Sequence, residues 1–181
     1  RGLVGDAKNT INQTTADVAT QESLEKIKNE ILEQIQINSE SANWPEHSSK
    51  LLGIALKYPT NWFKQEKRNW LTLASYDLNS TSTPEVYATV TIIRIINQKK
   101  DIKIEDLFDE PKNYQKSAEE IFIDLLPAKK YDQINTATNS IMSILFIRNN
   151  TDIYEIKIYS QNSQNIFEPV VNKILSTIDW L

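Results

Sequence analysis

The sequence predicts an α+β fold, in which one domain of strands and helices follows a helical N-terminal stalk. Within the run Glu85 to Ile96, side chains from Val86 to Ile92 alternate between an apolar face and a face of tyrosine and threonine, as in a half-buried strand. Two more strand-like runs flank the pair Asn149-Asn150, and the first 38 residues carry apolar positions at helical spacing. A length of 181 residues fits one domain with an appendage.

The stalk, residues 1–38, is predicted to be helical from about Asp6 to Asn38. It contains no proline, and no glycine follows Gly5 within it. Apolar residues recur in it at steps of three and four positions, at Leu24, Ile27, Ile31 and Ile35. Two interpretations stay open, because this stripe either packs on its own domain or offers one face to a partner.

Residues 39–50 are predicted to be a linker, and the globular domain is predicted to span residues 51–181. The linker is rich in serine and contains Pro45, a composition typical of irregular structure. It also contains Trp44, a large apolar side chain that needs a packing partner. We therefore expect Trp44 to attach the stalk to the domain.

Six segments of the domain are predicted to be strands. The longest, Glu85 to Ile96, should bury the even-numbered side chains from Val86 to Ile92 on one face. Asparagine tolerates positive φ, so Asn149-Asn150 is expected to close a hairpin. The other predicted strands are Leu52–Tyr58, Trp70–Tyr76, Ser140–Arg148, Asp152–Tyr159 and Thr177–Leu181.

Helical spacing predicts three helices between and after these strands. The main one, Asn113 to Leu126, ends before Pro127, which is unable to continue a helix. A short helical turn, Ile104 to Glu110, precedes it, and a last helix runs from Ile166 to Leu175. The expected apolar face of the main helix consists of Tyr114, Ala118, Ile121, Phe122 and Leu125.

The composition excludes several classes of site. No cysteine occurs, so the chain has no thiol nucleophile, disulfide or cysteine metal site. The only histidine, His47, lies in the linker, and no glycine-flanked serine elbow exists, so a serine-hydrolase triad is not expected. Gly53 is the only glycine after residue 5, which leaves no glycine-rich nucleotide loop.

The charged segments of the sequence do not indicate a functional site either. The net charge of −4 argues against a nucleic-acid partner, and the basic segment from Lys64 to Trp70 is interpreted as a solvated hairpin rim. The acidic segment from Glu105 to Glu110 lacks the spacing and the glycine of a calcium-binding loop. We therefore predict no catalytic, cofactor-binding or metal-binding residue, and we expect no cofactor.

The run from Gly53 to Trp62 contains the motif Tyr58-Pro59-x-x-Trp62. This motif resembles the opening of the PsbP-like superfamily, whose first strand ends in Tyr-Pro, followed by two residues and Trp. The later order is similar: a long central strand, a helical region, a hairpin carrying Tyr154, and a last helix that leads into a short strand. The resemblance covers residues 51–181 and leaves out the stalk.

The resemblance implies an α/β/α sandwich around an antiparallel sheet. It implies a binding or assembly role and no shared catalytic residues, since members include a photosystem II extrinsic subunit, a nuclear import factor and bacterial lipoproteins. Within the motif, Tyr58, Pro59 and Trp62 are interpreted as structural, because proline ends the strand and the aromatic rings fill the end of the sandwich.

We therefore expect a non-enzymatic, extracytoplasmic module of a bacterium, with a protein partner and no nucleic acid. No run of about 18 apolar residues occurs, so no segment is predicted to span a membrane. The sequence starts at Arg1 rather than at methionine, so membrane attachment is expected through an upstream segment. The alternatives are a cytoplasmic adaptor with the stalk as partner helix, and a hydrolase with two carboxylates in a cryptic cleft.

Overall fold

The computed structural model describes residues 21, 23–29, 31, 43–97, 102–107, 118–135, 138, 140–162 and 166–181. These residues form two antiparallel β-sheets accompanied by helices, so the predicted α+β class is confirmed. The finer α/β/α layering stays a prediction.

The large sheet has seven strands. In chain order they are β3 (Phe63–Lys67), β4 (Trp70–Ala74), β5 (Tyr87–Ile95), β6 (Ala118–Ile123), β7 (Leu126–Asn135), β8 (Ser140–Asn149) and β9 (Asp152–Gln161). Across the sheet the order is β3-β4-β5-β9-β8-β7-β6, with every neighbouring pair antiparallel. β3 and β6 are therefore the two edges.

The small sheet has three strands, in the order β1-β2-β10. They are β1 (Glu46–Ser49), β2 (Ile54–Lys57) and β10 (Asp179–Trp180), and both pairs are antiparallel. β1 lies inside the segment predicted as a linker. Its residues Glu-His-Ser-Ser show no strand propensity, and the strand forms because β2 supplies a complete set of backbone partners.

Three helices complete the described fold: α1 (residues 23–29), α2 (Ile104–Leu107) and α3 (Glu168–Leu175). α3 follows the N-cap residue Phe167 and carries Pro169 in its first turn, where the missing N–H is harmless. Its apolar face, including Val170, Val171 and Ile174, is buried as the sequence predicts. The short predicted helix at Ile104 is confirmed as α2, while residues 108–110 lie outside the described ranges.

One face of the large sheet, called the front face, forms the main core. Leu71, Ile92, Ile156 and Leu145 lie in register on four neighbouring strands and are almost completely buried. α3 and residues of β2 belong to the same cluster. The predicted burial of the even-numbered side chains from Val86 to Ile92 is confirmed.

The apolar stripe of the stalk packs against this core. Leu24, Ile27 and Ile31 are partly buried and contact the core cluster, which also contains Trp44. For these residues the interpretation that the stripe packs on its own domain is confirmed. Ile35 and the greater part of residues 1–38 lie outside the described residues, so the full-length helical stalk stays a prediction.

The helix predicted over Asn113 to Leu126 is wrong where the structure describes it. Residues 118–123 form β6, which pairs with β7 through Ala118↔Tyr131 to Ile123↔Leu126, while residues 113–117 lie outside the described ranges. A short apolar run fits the helical and the strand period almost equally. The β-branched Ile121 and Ile123 favour the strand, and pairing with β7 decides the outcome.

The hairpin predicted around Asn149-Asn150 is confirmed. β8 and β9 pair from Asn149↔Asp152 to Ser140↔Gln161, and Asn150 adopts a φ of 55°. The positive φ explains why asparagine suits this turn.

Candidate functional site

The hairpin between β6 and β7 carries the most exposed apolar surface that the structure describes. Leu125 is 88% exposed and Phe122 is 72% exposed, the two highest values among the large apolar side chains of the described residues. Phe122 lies on β6 and Leu125 lies in the turn that follows. We call Phe122, Asp124 and Leu125 the hairpin tip.

The turn of this hairpin is strained. Asp124 and Leu125 connect β6 to β7 as a two-residue loop, with φ values of 45° and 66°. Positive φ at both positions is the type I′ pattern, which normally uses asparagine and glycine. A leucine in the left-handed region costs about 1–2 kcal/mol, because its Cβ approaches the following carbonyl oxygen. Such strain is concentrated at functional sites.

The two edges of the large sheet differ in chemistry. β3 carries Lys64 and Lys67, and lysine on an edge discourages pairing with other chains. β6, of sequence Ala-Glu-Glu-Ile-Phe-Ile, contains neither lysine nor proline, and its only neighbour among the described strands is β7. The β6 edge is thus the less protected of the two.

A cleft of about 220 Å³ lies between α3 and strands β7 to β9. At its polar end, Ser143 donates a hydrogen bond to Asp132, and Lys130 Nζ lies 3.2 Å from Asp132 Oδ2. Ile134 and Phe167 belong to its apolar part. The full lining comprises Lys130, Asp132, Ile134, Ile141, Ser143, Ile158, Ser160, Phe167, Glu168, Val171 and Asn172.

Two carboxylates line this cleft, Asp132 and Glu168, and they are the candidates for the hydrolase alternative. Asp132, however, already accepts the Ser143 hydroxyl and pairs with Lys130, while Glu168 is exposed. A general base needs an available oxygen that faces the substrate, whereas Ser143 binds Oδ1 of Asp132 and Lys130 lies beside its Oδ2. In this arrangement Asp132 therefore offers no free oxygen for that role.

His47 lies in a polar cluster that connects the two sheets. Its Nε2 is 2.9 Å from Glu66 Oε2, and Lys64 Nζ is 2.9 Å from its Nδ1. Because the ammonium of Lys64 can only donate, Nδ1 accepts and Nε2–H donates to Glu66. Ser49 also donates to Glu66, so serine and histidine both contact the acid and not each other. This is not the geometry of a hydrolytic triad.

Arg94 and Asp152 form a second polar cluster. Arg94 Nε donates to Asp152 Oδ2 at 2.8 Å, Arg94 Nη1 donates to the Leu51 carbonyl at 2.9 Å, and the Asn97 N–H donates to Asp152 Oδ1 at 3.2 Å. Burial opposes ionisation of Asp152, but the hydrogen bonds from Arg94 and Asn97 outweigh it and lower the pKa of Asp152. The pair therefore stays ionised and ties the β1–β2 turn to the large sheet.

An open polar cavity of about 420 Å³ lies beside this cluster, with Lys50, Gly53, Arg94 and Tyr154 among its lining residues. Tyr154 donates its hydroxyl to the Leu52 carbonyl at 2.6 Å, and burial raises its pKa. Gly53 has a φ of 70°, which suits glycine and explains the residue in this turn. The polar groups around Gly53 hold the two sheets together.

The aromatic side chains that the sequence singles out are mainly structural. Trp62 is buried and meets Phe167 edge-to-face, with ring centroids 6.2 Å apart. In the basic hairpin rim, Lys67 Nζ lies 5.5 Å from the ring centroid of Trp70. This cation–π contact gives the Lys67 ammonium a partner within its own hairpin, which favours the structural interpretation of the rim.

Three tyrosines lie together on the back face of the large sheet, opposite the core. The ring centroids of Tyr76 and Tyr87 are 5.1 Å apart, and those of Tyr87 and Tyr159 are 5.7 Å apart. Burial, together with the hydrogen bond and charge of Tyr159 and the charge of Tyr76, raises the pKa of Tyr87 to about 12. The three rings remain half-buried.

Within the described ranges, no group of three or more histidine, aspartate or glutamate side chains is arranged to hold a metal ion. The side chains of Glu105 and Asp106, and residues 109 and 110, lie outside the described part of the chain, so the expectation for the acidic segment stays a prediction. Likewise, no helix among the described residues is long and apolar enough to cross a membrane.

Sequence reasoning missed the hairpin tip, since it placed Phe122 and Leu125 on the buried face of a helix. Two signals were present. Ile121 and Ile123 are β-branched and flank an aromatic residue, as in strands. Asp124 is a residue type that accepts positive φ and often occurs in turns.

No family model matches this chain, and no curated protein matches it. Three solved structures are similar to it. One is a protein from Bacteroides thetaiotaomicron, with a TM-score of 0.47 and 8% identity over 75% of this chain; the match spans only 48% of that protein, about half its length. Another is the solution structure of a PsbP from the cyanobacterium Synechocystis sp. PCC 6803, with a TM-score of 0.47, 13% identity and coverage of 76% and 92% of the two chains.

The third is the protein of unknown function PA94 from Pseudomonas aeruginosa, with a TM-score of 0.41, 16% identity and coverage of 74% and 94%. The Synechocystis protein is a PsbP, the superfamily that the Tyr58-Pro59-x-x-Trp62 motif resembles. Likenesses with TM-scores under 0.5 carry no conclusion about what this chain does.

Proposed function

We propose that this chain is a non-enzymatic protein-binding module, and that the hairpin tip is its contact surface. The observation that carries the proposal is Leu125, an exposed leucine held in a left-handed turn next to the exposed Phe122. A solvated loop of this kind gains nothing from an exposed leucine. A partner that covers the tip removes this apolar surface from water.

The tip has the character of an interface anchor. Large apolar and aromatic side chains contribute most of the binding free energy in protein interfaces when a pocket of the partner desolvates them. The two-residue turn fixes the direction of Leu125, so little conformational entropy is lost on binding. A few rigid anchors of this kind suit an assembly role.

The proposal keeps the location that the sequence suggests, outside the cytoplasm of a bacterium and attached to a membrane by a segment upstream of Arg1. Its support is the resemblance of the Tyr58-Pro59-x-x-Trp62 motif to a superfamily that includes bacterial lipoproteins. It also keeps the α/β/α layering of the PsbP-like superfamily. Fractionation of cells that express the full gene product checks the location, and recovery in the soluble cytoplasmic fraction contradicts it.

A photo-crosslinking amino acid at position 122 tests the contact surface. Irradiation in the source cells is expected to give a discrete adduct with one protein. The matched control is the same amino acid at position 51, because Leu51 is also an exposed apolar residue but lies in the β1–β2 turn. Identical adducts from both positions, or none from position 122, would contradict the proposed function.

A further inference from the structure

We propose that β6 binds an extended segment of the partner protein as an additional antiparallel strand, and that this segment carries two adjacent basic residues. The inference rests on the proposed function and specifies the chemistry of the partner. In the described structure β6 ends the seven-stranded sheet, and β7 is its only strand neighbour. An edge of this kind pairs with extended peptides through main-chain hydrogen bonds.

The register of the hairpin shows which backbone groups point away from β7. In a two-residue hairpin the flanking pair, Ile123 and Leu126, exchanges hydrogen bonds. Pairs then alternate, so Phe122 and Glu120 direct their N–H and C=O groups to the open side. Pro127, which has no N–H, lies opposite Phe122. At this position β7 donates no N–H to β6, so proline fits the pattern.

The side chains of β6 specify what such a strand carries. The side chain of Glu119 is 63% exposed, and Lys130, its ion-pair partner among the described residues, lies 3.9 Å from it but only 3.2 Å from Asp132. Glu120 is exposed on the opposite face. Consecutive residues of a strand face opposite sides, so two adjacent basic residues on the added strand meet both carboxylates.

The next two residues of β6, Ile121 and Phe122, are apolar, and Phe122 is exposed. An antiparallel neighbour runs in the reverse direction. Its sequence, read from the N-terminus, therefore has two apolar residues opposite Phe122 and Ile121, followed by two basic residues opposite Glu120 and Glu119. A second copy of this chain offers no such sequence at its own β6 edge, where glutamates would face apolar residues or one another.

A library of random decapeptides, displayed on phage and selected against the intact chain, tests the inference. The expected result is enrichment of peptides with two apolar residues followed by two of lysine or arginine. Enrichment of acidic peptides, of peptides without this order, or of none at all overturns the inference. If position 122 still gives its discrete cross-link in cells, the proposed function survives that failure.

Variants of β6 then test the mode of binding, with one enriched peptide synthesised as the probe. Glu119→Gln combined with Glu120→Gln is expected to weaken binding about five-fold, since each exposed ion pair contributes modestly. Glu120→Pro also removes an N–H on the open side and is expected to weaken binding about five-fold more than Glu120→Ala, its matched control. An unchanged melting temperature shows that the inner ladder to β7 is intact.

Equal affinities for Glu120→Pro and Glu120→Ala would overturn strand addition. Light scattering of the chain without peptide tests whether a second copy of the chain occupies the β6 edge instead. A monomer agrees with the inference, and a dimer that Glu120→Pro abolishes overturns it in favour of a second copy.

Discussion

Among single residues, Trp62 is the clearest structural anchor. Its ring is buried in the core cluster and packs edge-to-face on Phe167, while its backbone N–H donates to the Pro59 carbonyl at 3.0 Å. Trp62→Ala is expected to lower the free energy of unfolding by about 3–5 kcal/mol, as removal of a buried aromatic ring leaves a cavity. Urea denaturation measures this, with the half-buried Trp70→Ala as control. A Trp62→Ala variant that unfolds like the parent chain would show that the ring contributes no packing.

Tyr87 gives the protein a dependence on alkaline pH. Its pKa is raised to about 12 in the folded chain, above the ordinary value of 10.0, so the folded state retains the proton more tightly than the unfolded state. The stability from this difference is fully present below pH 10 and is lost as the pH rises toward 12. The urea concentration at the midpoint of unfolding should therefore decrease as the pH is raised from 10 to 12. The decrease should be smaller in Tyr87→Phe. An equal decrease in the parent chain and in Tyr87→Phe would show that other groups cause the loss of stability.

Among the elements, the β6–β7 hairpin combines strain with exposure. Leu125→Gly is expected to raise the free energy of unfolding by about 1 kcal/mol, because glycine adopts a φ of 66° without the steric cost that leucine meets. The same change is expected to weaken partner binding, since it removes the most exposed apolar side chain of the tip. Asn150→Gly is the control, as it lies in another hairpin turn at a φ of 55°. Loss of stability in Leu125→Gly would mean that the turn is not strained.

Across the whole molecule, the domain includes residues upstream of position 51. Trp44 belongs to the core cluster, and β1 completes the small sheet beside β2. A fragment of residues 43–181 is therefore expected to melt in one cooperative transition, and a fragment of residues 51–181 at a lower temperature, because it lacks both features. Calorimetry of the two fragments distinguishes them. Equal melting temperatures would place the domain boundary at residue 51, as the sequence predicts.

The two sheets depend on each other through polar contacts. His47 and Ser49 of β1 bind Glu66 of β3, while Arg94 and Tyr154 of the large sheet donate to carbonyl groups in the β1–β2 turn. These contacts link residues far apart in sequence, such as Tyr154 and Leu52. They give the only histidine and the half-buried Arg94 a structural role between the two sheets.

The sequence by itself determined the elements whose local signals agree with their burial. In β5, buried side chains alternate with half-buried ones from Tyr87 to Ile93, and the turn at Asn150 uses a residue that accepts positive φ. α3 has an apolar stripe and a proline in its first turn. For these elements, propensity, periodicity and packing favour the same structure.

Only the tertiary structure decided the elements whose stability comes from a neighbouring strand. β1 is polar, β7 mixes charged and apolar residues, and β6 has an apolar run short enough to fit a helix. Each becomes a strand because backbone groups of β2, β7 or β8 are within reach, and strand propensity depends largely on such partners. Sequence reasoning missed the candidate site for the same reason, because Leu125 is exposed only when the β6–β7 turn replaces a helix.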